Sequence, residues 1–185
     1  MEAERIILGI DPGTTIMGYG IVKSKGKSPE LITLGIINLK KLDNHYAKIQ
    51  KIFERTLSLI DQFKPTELAI ESPFYGKNIQ SMLKLGRAQG SAIAAALYRQ
   101  LPIYEYAPRK IKLSITGKGN ASKEQVAFIL QRMLKFNNIP NNLDATDGLA
   151  AAVCHFFQNN IGMVSKTKTK SWKEFIIKNP GKVKN

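Results

Sequence analysis

Apolar positions along the chain follow two periods. Residues 6–11, 18–23 and 31–38 are short apolar-rich runs parted by "PGTTIM" and "SKGKSPE", which predicts three strands in an antiparallel meander. Over "NHYAKIQKIFERTLSLIDQF" the spacing becomes helical. Ile49, Ile52, Phe53, Leu57 and Ile60 share one face, Lys48, Lys51, Glu54 and Arg55 lie mostly opposite, and Pro65 ends the helix. "ELAIE", residues 67–71, predicts a strand, a helix follows from about Asn78 to Arg99, and "PIYEYA", 102–107, predicts a fifth strand. The basic, Gly-containing "PRKIKLSITGKGNA" reads as a connection. It leads to a helix over "SKEQVAFILQRMLKF", where Ser122 and Gln125 form a capping box and Val126, Ile129, Leu130, Met133 and Leu134 make the apolar face. A last core helix is predicted over "DATDGLAAAVCHFFQ".

Three adjacent strands followed by alternating helices and strands describe an α/β sheet with an antiparallel half. Right-handed crossovers make the first, fourth and fifth strands parallel and the first and fourth neighbours. Ligands bind at the carboxyl ends of such strands, where Asp11 closes the first strand and Glu71 the fourth. Each is an acid on an apolar run, although Asp11 before Pro-Gly also suits a turn and Glu71 a solvated strand end. Asp144 and Asp147 lie three apart at a helix start, so they share a face. Taken alone they read as helix-capping acids.

Four carboxylates brought together repel unless cations neutralise them. No His or Cys cluster accompanies them, which disfavours zinc, and oxygen-only ligands suit Mg²⁺ or Mn²⁺. Two such ions roughly 4 Å apart are the usual device for in-line phosphodiester displacement.

Charge supports that direction. The chain carries 28 Lys and Arg against 14 Asp and Glu, a net charge of +14. Residues 162–185 hold seven lysines and one glutamate, leaving +14 − 6 = +8 on the body, which predicts a polyanionic partner. The 185 residues predict one domain over 1–160 and a basic tail over 161–185, where Trp172, Phe175, Ile176 and Ile177 could dock a short helix. The lone Cys154 reads as a buried helical hydrophobe. With no signal-peptide plan and no apolar run of the roughly 20 residues a bilayer needs, a cytoplasmic protein is expected. His45 and His155 are isolated and read as surface or core histidines.

"ILGIDPGTTIMGYGIV", "AIESPFYGKN", "LKLGRAQGSAIAAAL", "YEYAPRKIK" and "LDATDGLAAA", in that order over residues 6–157, resemble the RuvC family of bacterial Holliday junction resolvases. The resemblance implies a ribonuclease H-like five-stranded sheet flanked by helices, a homodimer, and Mg²⁺-dependent paired nicking of four-way DNA junctions in recombination and repair. It implies an acidic tetrad of Asp11, Glu71, Asp144 and Asp147 holding two Mg²⁺ per subunit, with Mn²⁺ as substitute, and makes Lys112 and Lys123 catalytic candidates near the scissile phosphate. RuvA- and RuvB-type branch-migration motors are candidate partners. Phe74, in a loop with Tyr75 and Lys77, matches the aromatic that stacks at the opened junction centre. Arg109, Lys110, Lys112, Lys118 and Lys123 are the further DNA-contact candidates. Gly86 and Gly90, four apart in a helix, allow close helix approach, and the resemblance places the dimer seam nearby.

Three alternatives compete. An actin-like or sugar-kinase ATPase shares the D-x-G-T-T opening, but needs a second phosphate loop that Glu71-Ser-Pro-Phe does not resemble. An inactive branched-DNA-binding protein would be expected to lack an acid. A ribonuclease H-like enzyme of ribosomal RNA processing shares the G-I-D-x-G opening, with Phe74 and the Asp144/Asp147 pair against it.

Overall fold

The structure, a computed structural model, describes residues 5–73 and 78–161. The elements are β1 (Ile6–Asp11), β2 (Ile16–Lys25), β3 (Ser28–Asn38), α1 (His45–Phe63), β4 (Glu67–Glu71), α2 (Ile79–Tyr98), β5 (Ile103–Tyr106), α3 (Pro108–Thr116), α4 (Lys123–Leu134) and α5 (Asp144–Ile161). They build one sheet in the order β3-β2-β1-β4-β5. β1 pairs antiparallel with β2 and β2 with β3, whereas β1–β4 and β4–β5 are parallel. This is the predicted topology. The possible docked helix over 161–185 lies, from residue 162 onward, outside the described residues.

Strand alternation divides the core between the two faces. Ile7 and Val22 join α3, α4 and α5 on one face, while Leu8, Ile10 and Ile21 pack with α1 and α2 on the other. Among the described residues, no helix is long and apolar enough to cross a membrane.

Two elements differ from the sequence expectation. β2 begins at Ile16 because Met17, assigned above to a turn, is fully buried and pairs with Ile37 of β3. The basic stretch after β5 is a helix, α3, with Pro108 in its first turn and Gly117 (φ 73°) stopping it in the left-handed conformation. Ile111 and Ile115 bury one side of it. Its run of cations masked a short amphipathic pattern that two buried isoleucines suffice to anchor. In α1 the buried face is Ile52, Thr56, Leu59 and Ile60. The expected Ile49, Phe53 and Leu57 sit half-exposed at its margin, a rotation of part of a turn. The Ser122–Gln125 capping box of α4 forms as predicted, and Cys154 is buried in α5.

The contact that decides the architecture is α5 on β1 and β2. Gly9 and Gly20 are paired across the two strands, and Gly18 is paired with Asp11. Each glycine faces α5: a Cβ on Gly9 would enter the Gly148 carbonyl, one on Gly18 the Asp144 carbonyl, and one on Gly20 the backbone of Leu149. Gly148 answers from the helix, where a Cβ would stand 2.5 Å from Tyr19 Cα. The helix thus rests on bare strand backbone.

A buried polar chain ties the far end of α5 to the same sheet. Arg5 donates to Glu67 Oε1 (3.0 Å) and Oε2 (2.7 Å), His155 Nε2 lies 2.5 Å from Glu67 Oε2, and Tyr106 Oη lies 2.5 Å from His155 Nδ1. The carboxylate can only accept, so His155 donates from Nε2 and accepts at Nδ1 from the Tyr106 hydroxyl. His155 is therefore a satisfied core histidine, one of the two outcomes expected of it. Burial pushes the Tyr106 hydroxyl up to about 12.

Gly148→Ala should separate helix propensity from packing. Alanine favours an isolated helix by about 1 kcal/mol, yet overpacking at this contact should cost about 1–3 kcal/mol net. Gly86→Ala, where a Cβ meets nothing within 4 Å, should instead stabilise the monomer. Urea denaturation of both variants checks the opposite signs.

Candidate active site

Parallel pairing of β1 and β4 brings Ile10 level with Ile70, so the strands end side by side on Asp11 and Glu71. Both line a cavity of about 140 Å³ with Pro12, Ser72, Pro73 and Leu85. The first turn of α5, lowered onto Gly18, adds Asp144 and Asp147 from the other side. One carboxylate oxygen each from Asp11, Asp144 and Asp147 lie within 4.8 Å of one another. Glu71 stands beside this trio and its charge acts on Asp11.

The two helix acids do not cap α5. Asn142 Oδ1 accepts from the Asp144 N–H (3.0 Å), and the Leu143 carbonyl accepts from the Asp147 N–H (3.1 Å). The carboxylates turn instead to Lys123, whose ammonium lies 3.1 Å from Asp144 Oδ1 and also contacts Asp147 Oδ2. Lys123 comes from the start of α4, fixed there by the capping box.

Burial and mutual repulsion hold protons on this cluster. Burial first, then the charges of Glu71 and Asp147, pushes Asp11 up to about 8, with Lys123 opposing. Burial and Asp147 push Glu71 up to about 7, against Lys123 and Lys112. Burial likewise raises Asp147, and the Lys123 contact offsets part of that. Burial works against the Lys123 ammonium, but Asp147 and Asp144 outweigh it and hold the proton firmly.

The all-oxygen donor set and an ammonium already drawn onto two of the acids fit a hard divalent cation. Asp11, Asp144 and Asp147 are the described residues that could hold one, and no His or Cys joins them.

The basic candidates scatter. Lys123 and Lys112 face the carboxylates. Lys110 is not brought there: its ammonium lies 5.0 Å over the Tyr106 ring, near the His155 chain. The Arg109 side chain lies against Gly119. Lys118 lines a separate cavity of about 270 Å³ with Phe128 and Gln125. Phe74, Tyr75 and Lys77 lie outside the described residues. Asn142 and the glycines that seat α5 are site residues the sequence analysis did not single out. The spacing of Gly18 and Gly20, both on one face of a strand, was the available signal.

A pH dependence follows. In the unfolded chain Asp11 and Glu71 ionise near pH 4, whereas in the fold they keep protons until about 8 and 7. The folded state then binds more protons across that window, so stability without divalent cation should fall as pH rises through it. The melting temperature in chelator should be lower at pH 8 than at pH 6, Asp11→Asn should flatten the difference, and added Mg²⁺ should restore the pH 8 value.

Comparison with known proteins agrees with this geometry. Residues 7–155 match the family model for crossover junction endodeoxyribonuclease RuvC. The RuvC protein of Bacteroides fragilis is 62% identical over 183 residues, covering 98% of this chain and 97% of that protein. That of Porphyromonas gingivalis is 57% identical over 185 residues, covering 98% of each. Among solved structures, Thermus thermophilus RuvC in complex with a Holliday junction substrate superposes with a TM-score of 0.79 at 30% identity, covering 85% of this chain and 96% of that one. The yeast mitochondrial Holliday junction resolvase Ydc2 shares the fold, with a TM-score of 0.64 at 16% identity over 85% of this chain and 80% of that one. On the family match and these identities, the chain belongs to the RuvC family of crossover junction endodeoxyribonucleases.

Proposed function

We propose that Asp11, Glu71, Asp144 and Asp147 bind two Mg²⁺ ions per subunit, Mn²⁺ substituting, and that the chain thereby resolves four-way DNA junctions by paired symmetric nicks. Family membership supplies the activity class, a Holliday junction resolvase that hydrolyses phosphodiester bonds. The observation carrying the finer reading is the convergence of four carboxylates from three separate elements at one sheet edge. An inactive binding protein has no use for buried acids that repel one another, and the Holliday junction complex of the Thermus relative favours DNA over ribosomal RNA as substrate.

When bound, the ions would activate water and neutralise charge on the scissile phosphate. The chain's own part is to present its acids from rigid strand ends and a helix seated on backbone. Lys123, released from Asp144 and Asp147 as metal takes its place, can turn to the phosphate. Lys112, at the edge of the same cluster, supports charge developing on the non-bridging oxygens. Arg109, Lys110 and Lys118 would track the DNA backbone, and Phe74, with Tyr75 and Lys77 beside it, would stack on an unpaired base at the junction centre. The cytoplasm is where such a substrate is met, and RuvA- and RuvB-type motors would be partners there.

The homodimer reading rests on α2. Its buried face, Ala88, Ala92, Ala95 and Ala96, packs within the chain. Ile79, Leu83, Leu97 and Tyr98 are exposed, and Gly86 and Gly90 have open space where a Cβ would stand. Apolar side chains flanking small residues on one exposed helix suit a second copy.

Cleavage of a synthetic four-way junction with Mg²⁺, against linear duplex of the same sequence, tests the activity. Asp11→Asn, Glu71→Gln, Asp144→Asn and Asp147→Asn should each abolish cutting while junction binding persists. Full cleavage by any one of them removes that residue from the tetrad. For the dimer, Leu83→Glu should move the protein to monomer in analytical ultracentrifugation with its melting profile retained. An unchanged dimer would place the seam elsewhere.

A further inference from the structure

A second cavity, of about 180 Å³, lies on the other side of the turn that follows Asp11. It is lined by Thr14 and Thr15 of that turn, Asp43, His45 and Lys48 at the start of α1, and Lys84 of α2. The cavity beside Asp11 and Glu71 is lined by different residues of the same two segments, Pro12 of the turn and Leu85, next to Lys84, of α2. Lys48 Nζ donates to the Thr14 carbonyl (3.3 Å), fixing one cation at the rim. The His45 side chain is partly exposed, and its Nε2 has no hydrogen-bond partner among the described residues, so it is left to find one in the cavity it lines. Asp43 is the lone acid in the lining, and among the described residues neither Lys48 nor Lys84 is held in an ion pair.

We propose that this cavity is a subsite for one non-scissile phosphodiester of the junction, gripped by Lys84, Lys48 and His45 beside the Asp11 turn. The chemistry matches a diester: a single negative charge, acceptor oxygens for two ammoniums and an imidazole, and hydroxyls from Thr14 and Thr15. Burial, then the charges of Arg87, Lys84 and Lys48, disfavours the imidazolium of His45. An arriving anion relieves that repulsion and lets His45 donate. Because the turn is shared, a phosphate seated here fixes the distance at which the next stretch of strand crosses the carboxylates. The inference rests on the resolvase reading and adds a binding position to it.

The test pairs a protein change with a DNA change. Junction binding is measured by fluorescence anisotropy without divalent cation, across 50–200 mM salt as a working range of about that order. Wild type is compared with Lys84→Gln and His45→Gln, on junctions carrying single neutral methylphosphonates along each strand. Lys84→Gln should lower the slope of log affinity against log salt by about 0.9 per occupied site. One methylphosphonate away from the cleaved bond should weaken wild type more than it weakens Lys84→Gln or His45→Gln. Additive penalties at every methylphosphonate position, or an unchanged salt slope, overturn the subsite. Failure of wild type itself to bind or cut the junction sinks the resolvase reading instead, so the two failures are distinct.

Discussion

The site depends on how closely α5 can approach the sheet. Helices ordinarily pack on strands through side chains, which holds the backbones apart by the depth of two side-chain layers. Here Gly9, Gly18 and Gly20 on the strands and Gly148 on the helix remove those layers along one track. The first turn of α5 is thereby set over the end of β1, and two aspartates that would otherwise point past the sheet edge meet Asp11. Glycine in strands and helix interiors is unfavourable in its own right. The fold accepts that cost at four positions around one contact, which ties the cost to placing the acids rather than to stability.

The same helix is fastened at its other end by chemistry of a different kind. His155 links Glu67, at the start of β4, to Tyr106, at the end of β5, and Arg5 closes the chain just before β1. Those strands include the two whose opposite ends carry Asp11 and Glu71. A buried carboxylate is costly unless paired and hydrogen-bonded, and Glu67 is both. Burial raises it, but Arg5 and His155 outweigh burial and hold it below the usual range. The carboxylate cluster at the ends of β1 and β4 differs. There the acids outnumber the ammonium beside them, and Asp11 and Glu71 sit near neutrality in the absence of metal. Glu67 has its charge met by Arg5 and His155, whereas the acids around Asp11 outnumber the one ammonium that rests on them.

Lys123 bridges these states. Its ammonium rests on Asp144 and Asp147, damping the repulsion that would open the site. Its backbone is fixed at the start of α4 and its side chain is half-exposed. A long stem with a compact charge lets one ammonium reach both carboxylates.

Much of this was legible in the sequence. The apolar periods determined five strands in their order, the long helices, and, through the right-handed crossover rule, the parallel pairing that puts Asp11 beside Glu71. Local chemistry determined the Ser122–Gln125 cap. The acids themselves could be named, and the resemblance to RuvC gave them a shared purpose. What local pattern could not determine was anything set by contacts distant along the chain. Asp144 and Asp147 satisfy the rules for helix-capping acids equally well, and only the approach of Gly18 to the Asp144 carbonyl, with Asn142 and Leu143 taking the helix N–H groups, decided that their carboxylates lie beside Asp11. Helix α3 is not marked in the sequence, because two buried isoleucines among cations are a weak signal until β5 and α5 supply the surface they fill. His45 and Lys84 are nearly forty residues apart, and no periodicity relates them. Packing of α1 against α2 made them neighbours, because contact between two helices, unlike helical or strand spacing, leaves no fixed interval in the sequence.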